Sequence, residues 1–126
     1  MPGMKPALTV VGGGAEGLTR RSALEAAYEH FRLNLLGNRV SDNTVRHYDY
    51  MVRPFLAWAA EQGLRRFEDL PVERFRHYRA EVASRTTRAG RQPEGRSVLD
   101  SHKALMTFFR WAAEQEYPVD QKILSL

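Results

Sequence analysis

The chain has 126 residues, with 19 Lys or Arg against 15 Asp or Glu, a formal net charge of +4 and no cysteine. That length suits one domain with its own core, and the missing thiols exclude a disulfide scaffold, Cys-type zinc or iron–sulfur centres and a thiol nucleophile. Sixteen of the cations are Arg, whose planar fork matches phosphate oxygens and guanine edges, so the basic excess permits a nucleic-acid partner; a GC-rich genome would give the same bias.

Residues 1–18 hold five glycines and two prolines with no apolar period, and read as a flexible leader. No apolar run is long enough to span a bilayer, and residues 1–11 lack a signal peptide's continuous apolar stretch, so a cytoplasmic protein is expected. Thr19 is placed to cap a first helix whose apolar stripe is Leu24, Tyr28, Phe31 and Leu35, ending at Gly37-Asn38. Ser41 or Asp42 opens a second, with Val45, Tyr48, Val52, Phe55 and Ala59 on one face and Gly63 as its stop. Pro54 lies inside that pattern and predicts a kink or break near Tyr50-Met51.

A shorter third helix follows Leu70-Pro71, with Phe75, Tyr78 and Val82 inward. Residues 84–95 then form a polar loop. A fourth helix runs from about Arg96 to Glu116, aligning Val98, His102, Leu105, Phe109 and Ala112, with Pro118 marking its end. No segment alternates long enough to require a strand. The pattern predicts an all-α fold of four helices.

FLAWAAEQGL at 55–64 and FFRWAAEQEY at 108–117 agree at six of ten positions, and Val45 matches Val98 at the same offset. The second and fourth helices therefore end alike, which points to two packed helical hairpins. Trp58 and Trp111, each beside small Ala residues, are expected to be buried at close helix crossings rather than to stack on bases.

Chemistry is sparse. His30, His47, His77 and His102 fall on four different helices without ligand spacing, and Gly12-Gly13-Gly14 lacks the Lys-Ser/Thr of a phosphate loop. Glu68-Asp69 precede a helix, where they complement its dipole. No catalytic residue, metal ligand or cofactor site is assigned. The chain is not expected to be an enzyme by itself.

Arg placement is more informative. Arg85, Arg88, Arg91 and Arg96 share a stretch with one acid, Glu94, and lead into the start of the fourth helix, whose free N–H groups suit a phosphate. The second helix starts similarly, with Arg39 before Ser41-Asp42-Asn43-Thr44 and Arg46-His47 after. Short polar side chains at such a start either cap it or donate to backbone oxygens of DNA.

Three motifs in order carry a resemblance. Ser41-x-x-Thr44-x-x-x-Tyr48 followed by Phe55-x-x-Trp58, then Leu70-Pro71-x-x-x-Phe75-x-x-Tyr78, then Ser97-Val98 with Leu105 and Phe108-Phe109-Arg110-Trp111-Ala112, stand in one sequence. From about Leu18 to Val119 the chain resembles the core-binding, SAM-like N-terminal domain of tyrosine recombinases, the phage-integrase and Xer-type family. Met106 and Asp100 depart from it, standing where the family often has a basic residue and where a carboxylate would face phosphate.

The resemblance implies a four-helix SAM-like bundle at 19–119, preceded by the leader and followed at 120–126 by the start of an interdomain linker. It implies a module that positions a recombinase on duplex DNA, with a separate C-terminal catalytic domain and neighbouring protomers as further partners. By the same resemblance Thr44, Arg46 and His47 of the second helix and Arg96, Ser97 and Lys103 of the fourth lie near DNA; the charge pattern, not the resemblance, adds Arg88 and Arg91 of the basic loop. The family's His-x-x-Arg motif is absent here, and the chain reads as a fragment of a larger recombinase. A helical protein–protein interaction module is the alternative.

Overall fold

The computed structural model describes residues 21–88 and 95–126, with side chains described at 21–84 and 99–126. The leader at 1–18 and Arg91 lie outside the described residues, and Arg88, Arg96 and Ser97 lie on helix ends whose side chains are not described. Five helices are present: α1 (Ala23–Gly37), α2 (Asp42–Glu61), α3 (Val72–Arg88), α4 (Gly95–Glu114) and the short α5 (Gln121–Leu124), with a 3-10 turn at Phe67–Asp69. None of the described residues forms a strand. The all-α expectation holds, with one helix more than the four foreseen.

α1 starts at Ala23 rather than just after Thr19. Ser22 caps it: its Oγ accepts from the Glu25 N–H at 3.1 Å while the Glu25 carboxylate accepts from the Ser22 N–H at 2.8 Å. Ser-x-x-Glu immediately ahead of the apolar stripe is the reciprocal capping pattern, and Thr19 stands one turn too early to use it. A third free donor, the Leu24 N–H, is taken by the Arg65 carbonyl at 3.1 Å, so the loop after α2 closes over the start of α1.

α2 is capped by Ser41, whose Oγ accepts from the Thr44 N–H at 3.1 Å. Of the kink or break expected near Tyr50-Met51, the break does not occur; the helix runs through Pro54 to Glu61. Pro54 cannot donate to the Tyr50 carbonyl, but both residues lie on the exposed side, where water can replace the lost bond.

α3 has 17 residues, not the shorter helix foreseen, and α4 begins at Gly95, so helix occupies both ends of the stretch read as a polar loop. Pro71 offers no side-chain acceptor for the start of α3. Its carbonyl accepts from the N–H groups of Arg74 and Phe75 at 3.0 and 3.3 Å, and the Val72 N–H instead donates to Asp120 Oδ2 at 2.9 Å. The other oxygen of Asp120 accepts from the Lys122 N–H at 3.0 Å and caps α5. One carboxylate thus closes two helix starts. Residues 120–126, read as the start of a linker, carry α5 and a fully buried core residue, Ile123.

The core forms where α1, α2 and α4 meet, with α2 against α4 the most extensive pairing. Phe55 lies 5.2 Å from Tyr78 of α3 and 5.6 Å from Phe109 of α4, ring centre to ring centre, and Phe108 lies 5.6 Å edge-on to Tyr28 of α1. Ala59 and Ala112, from the repeated segment, are both buried. The two tryptophans are not equivalent. Trp58 is buried beside Phe55 and Tyr78, whereas Trp111 is half-buried, its ring 4.9 Å from His30 and 5.4 Å from Phe31. His30 is itself exposed, which leaves that side of the Trp111 ring partly open to water.

α1, α2 and α4 share one kind of ending. The sixth residue of each closing loop donates back to the first: Val40 to Leu35, Leu64 to Ala59 and Tyr117 to Ala112, at 3.4, 2.8 and 3.0 Å. Inside each lies a second bond, from Arg39 to Leu36, Gly63 to Ala60 and Glu116 to Ala113. This double closure needs a left-handed residue just past the cap. Arg39, Gly63 and Glu116 hold it, with φ of 61°, 74° and 71°.

Candidate nucleic-acid interface

α2 presents two unlike sides. Toward α1 it sets Asp49, which accepts from the Tyr28 hydroxyl at 2.6 Å and from Arg32 Nε at 3.1 Å, while Arg53 bridges Asp49 and Glu29 at 3.6 and 3.2 Å. Burial, reinforced by the bond to Asp49, pushes the Tyr28 phenol above its ordinary range. These charges satisfy one another. The surface depression beside them, lined by Arg21, Glu25, Glu29 and Arg53, is balanced in sign.

The solvent side of α2 carries Asn43, Arg46, His47, Tyr50 and Pro54, all exposed and following the helical period, while Ala57 borders the depression beside Glu29 and Arg53. From Asn43 to Pro54 that side holds no carboxylate. Arg46 donates to the neutral Asn43 side chain, and no described carboxylate forms an ion pair with it. Thr44 is half-buried, with its hydroxyl 2.9 Å from Ser41 Oγ, and belongs to the cap.

On α4 the solvent stripe is Leu99, Lys103, Thr107, Arg110 and Glu114. Thr107 Oγ1 donates to the Lys103 carbonyl at 2.9 Å, and no described carboxylate pairs with the side chains of Lys103 or Arg110. Arg110 follows Lys103 by seven residues, so both project from the same side. Met106 is a buried core residue, so its departure from the family pattern removes nothing from this surface, and Asp100 is half-buried.

Of the sequence-derived site residues, Thr44, Arg46 and His47 therefore come together on the first two turns of α2, and Lys103 stands separately on α4. Tyr50 and Arg110 were not among them. The signal for Tyr50 lay in the period: Tyr48 falls in step with Val45 and Val52, which leaves Tyr50 on the far side.

Burial, with the fields of Arg79 on α3 and Arg110, lowers the pKa of His102 on α4, and its Nδ1 is buried with no hydrogen-bond partner among the described residues. Among the described residues no group of three or more His, Cys, Asp or Glu side chains is placed to hold a metal ion, and no helix is long and apolar enough to cross a membrane. Comparison with protein-family models, curated proteins and solved structures finds no match for the chain.

Proposed function

We propose that this chain is a duplex-DNA-binding module in which α1–α4 form a SAM-like core-binding unit of a tyrosine site-specific recombinase. The observation that carries this reading is the pair of central helices, α2 and α4, whose outer faces hold Arg46, Lys103 and Arg110 with no carboxylate partner among the described residues. Elsewhere the arginines of α1 and α2 are spent on Asp49 and Glu29. Cations left unpaired on rigid helices neutralise phosphates and release counterions, while Asn43 and the N–H groups at a helix start position the duplex.

In this reading the module orients its target and the strand chemistry belongs to a separate catalytic domain of the parent recombinase. No cofactor is invoked. Arg88, Arg91, Arg96 and Ser97 enter the proposal on sequence alone, as basic or polar residues between the end of α3 and the first turn of α4.

Titration of a fluorescent mixed-sequence duplex at several salt concentrations tests the proposal. Nonspecific dissociation constants of about 10⁻⁴–10⁻⁶ M are expected at physiological salt. Arg46→Ala and Lys103→Ala should each lower the salt slope by about 0.9 for every phosphate that the side chain neutralises. Arg66→Ala is the control, because Arg66 lies past the opposite end of α2 and is paired with Asp69 at 3.3 Å. Salt-insensitive or absent binding overturns the proposal.

A second reading has one observation in its favour. Leu33 and Leu36 of α1 are 65% and 42% exposed, and such an apolar pair suits a protein partner instead of DNA.

A further inference from the structure

Tyr50 is 78% exposed, the most exposed of the large hydrophobic side chains among the described residues. Every other tyrosine has a structural partner. Tyr28 donates to Asp49, Tyr48 packs edge-on to Phe31 at 5.3 Å, Tyr78 lies against Phe55 and Trp58, and Tyr117 reaches His30 at 3.4 Å. Tyr50 has no ring contact and no side-chain hydrogen bond among the described residues, so the fold does not account for it.

Its position is more telling than its exposure. Tyr50 lies mid-way across the solvent side of α2, with Arg46 and His47 one turn before it on either flank. The neighbouring acid, Asp49, is turned toward α1 and neutralised by Arg32 and Arg53. A phosphate approaching Arg46 therefore meets a phenol on a helix anchored at its start by Ser41 and along its inner side by Val52, Phe55 and Trp58.

We infer that Tyr50 is a positioning residue for the DNA backbone, its hydroxyl donating to a phosphate oxygen while its ring lies along the adjoining deoxyribose. The inference rests on the proposed function and extends it to a neutral contact. Such a contact adds a hydrogen bond to a charged acceptor but displaces no counterion. It fixes the register of α2 on the duplex without reading sequence.

That distinction supplies the test. In the full chain, Tyr50→Phe removes only the hydroxyl from an exposed site and leaves folding intact. Affinity for the mixed-sequence duplex should fall about tenfold, with the slope against log salt unchanged. Arg46→Ala, measured in parallel, should weaken binding and reduce the slope as well. If Arg46→Ala behaves so while Tyr50→Phe binds like the parent, the inference is overturned and the DNA reading stands. A Tyr50→Phe variant that changes the slope also overturns it, because the contact is then not a neutral one. If the parent chain shows no salt-sensitive binding, the DNA reading itself is overturned and the inference goes with it.

Discussion

Glu116→Gly should stabilise the protein, and Gly63→Ala should destabilise it. Both positions lie just past a helix cap, at the left-handed residue of the same double hydrogen-bonded closure, with φ of 71° and 74°. A side chain in that conformation costs roughly 1–2 kcal/mol from the crowding of its Cβ. Glycine removes this cost but frees the unfolded chain by about 0.4–1 kcal/mol. The net gain at Glu116 is then about 0.5–1 kcal/mol, and the loss at Gly63 is of the same size. Neighbouring side chains add little to either value: Glu116 is exposed and forms no ion pair among the described residues, and a Cβ built on Gly63 meets no heavy atom within 4 Å. Urea unfolding followed by tryptophan fluorescence suits the measurement, since Trp111 and Trp58 each lie five residues before the position changed. A change of about 1 kcal/mol would move the thermal midpoint by roughly 3–6 °C in a domain of this size. If Glu116→Gly destabilises and Gly63→Ala has no effect, the left-handed residue is not the seat of strain.

Three further outcomes follow from the same geometry. Trp58→Ala should cost roughly 3–5 kcal/mol and Trp111→Ala distinctly less, because only the first ring is enclosed; equal losses in urea would contradict the packing described. Tyr28→Phe should cost about 1.5–3 kcal/mol by removing the bond from a buried hydroxyl to the Asp49 carboxylate, read from the same unfolding curves; no change would mean that Arg32 and Arg53 already satisfy Asp49. The N–H groups of Lys122 and Val72 hold the Asp120 carboxyl below its usual range, so the stability it contributes is present above its unfolded pKa and is lost as pH falls through the folded one. Asp120→Asn should therefore flatten the acid side of the stability profile, leaving the similar contribution of Asp69, whose carboxyl is lowered by the N–H groups of Arg65 and Arg66; an unchanged profile would refute the double cap.

Local signals made most of the helices legible. Ser41 ahead of a stripe from Val45 to Ala59 names both the cap and the buried side of α2, and Phe75 and Tyr78 do the same for the inner side of α3. What stayed hidden depends on residues far apart in sequence. Nothing near Pro71 reveals that Asp120 completes the start of α3, and so residues 120–126 look like a tail. The repeated WAAEQ segment shows that two helices end alike, but the sequence carries the fourth helix on to Glu116, two residues past its end at Glu114, since only the backbone discloses the left-handed turn there. At the candidate interface, Arg46, His47 and Lys103 could be picked out from charge and order. Arg110, seven residues after Lys103, was legible from the same period, but it lies outside the helix start on which the charge reading centred.

The shared carboxylate of Asp120 also sets an order of assembly. During synthesis the N-terminal part of a chain is the first to become available for folding. α1 and α2 carry their side-chain caps next to them, at Ser22 and Ser41, and the Leu24 N–H of α1 waits only for the Arg65 carbonyl just past α2. The first N–H of α3 must wait for a residue 48 positions downstream. Until then that helix start is served only by water, and Ile123 has not yet filled its place in the core. Asp120 and Ile123 therefore act as a checkpoint: a nascent or truncated product that stops short of them has two well-anchored helices and a third whose first turn is still open.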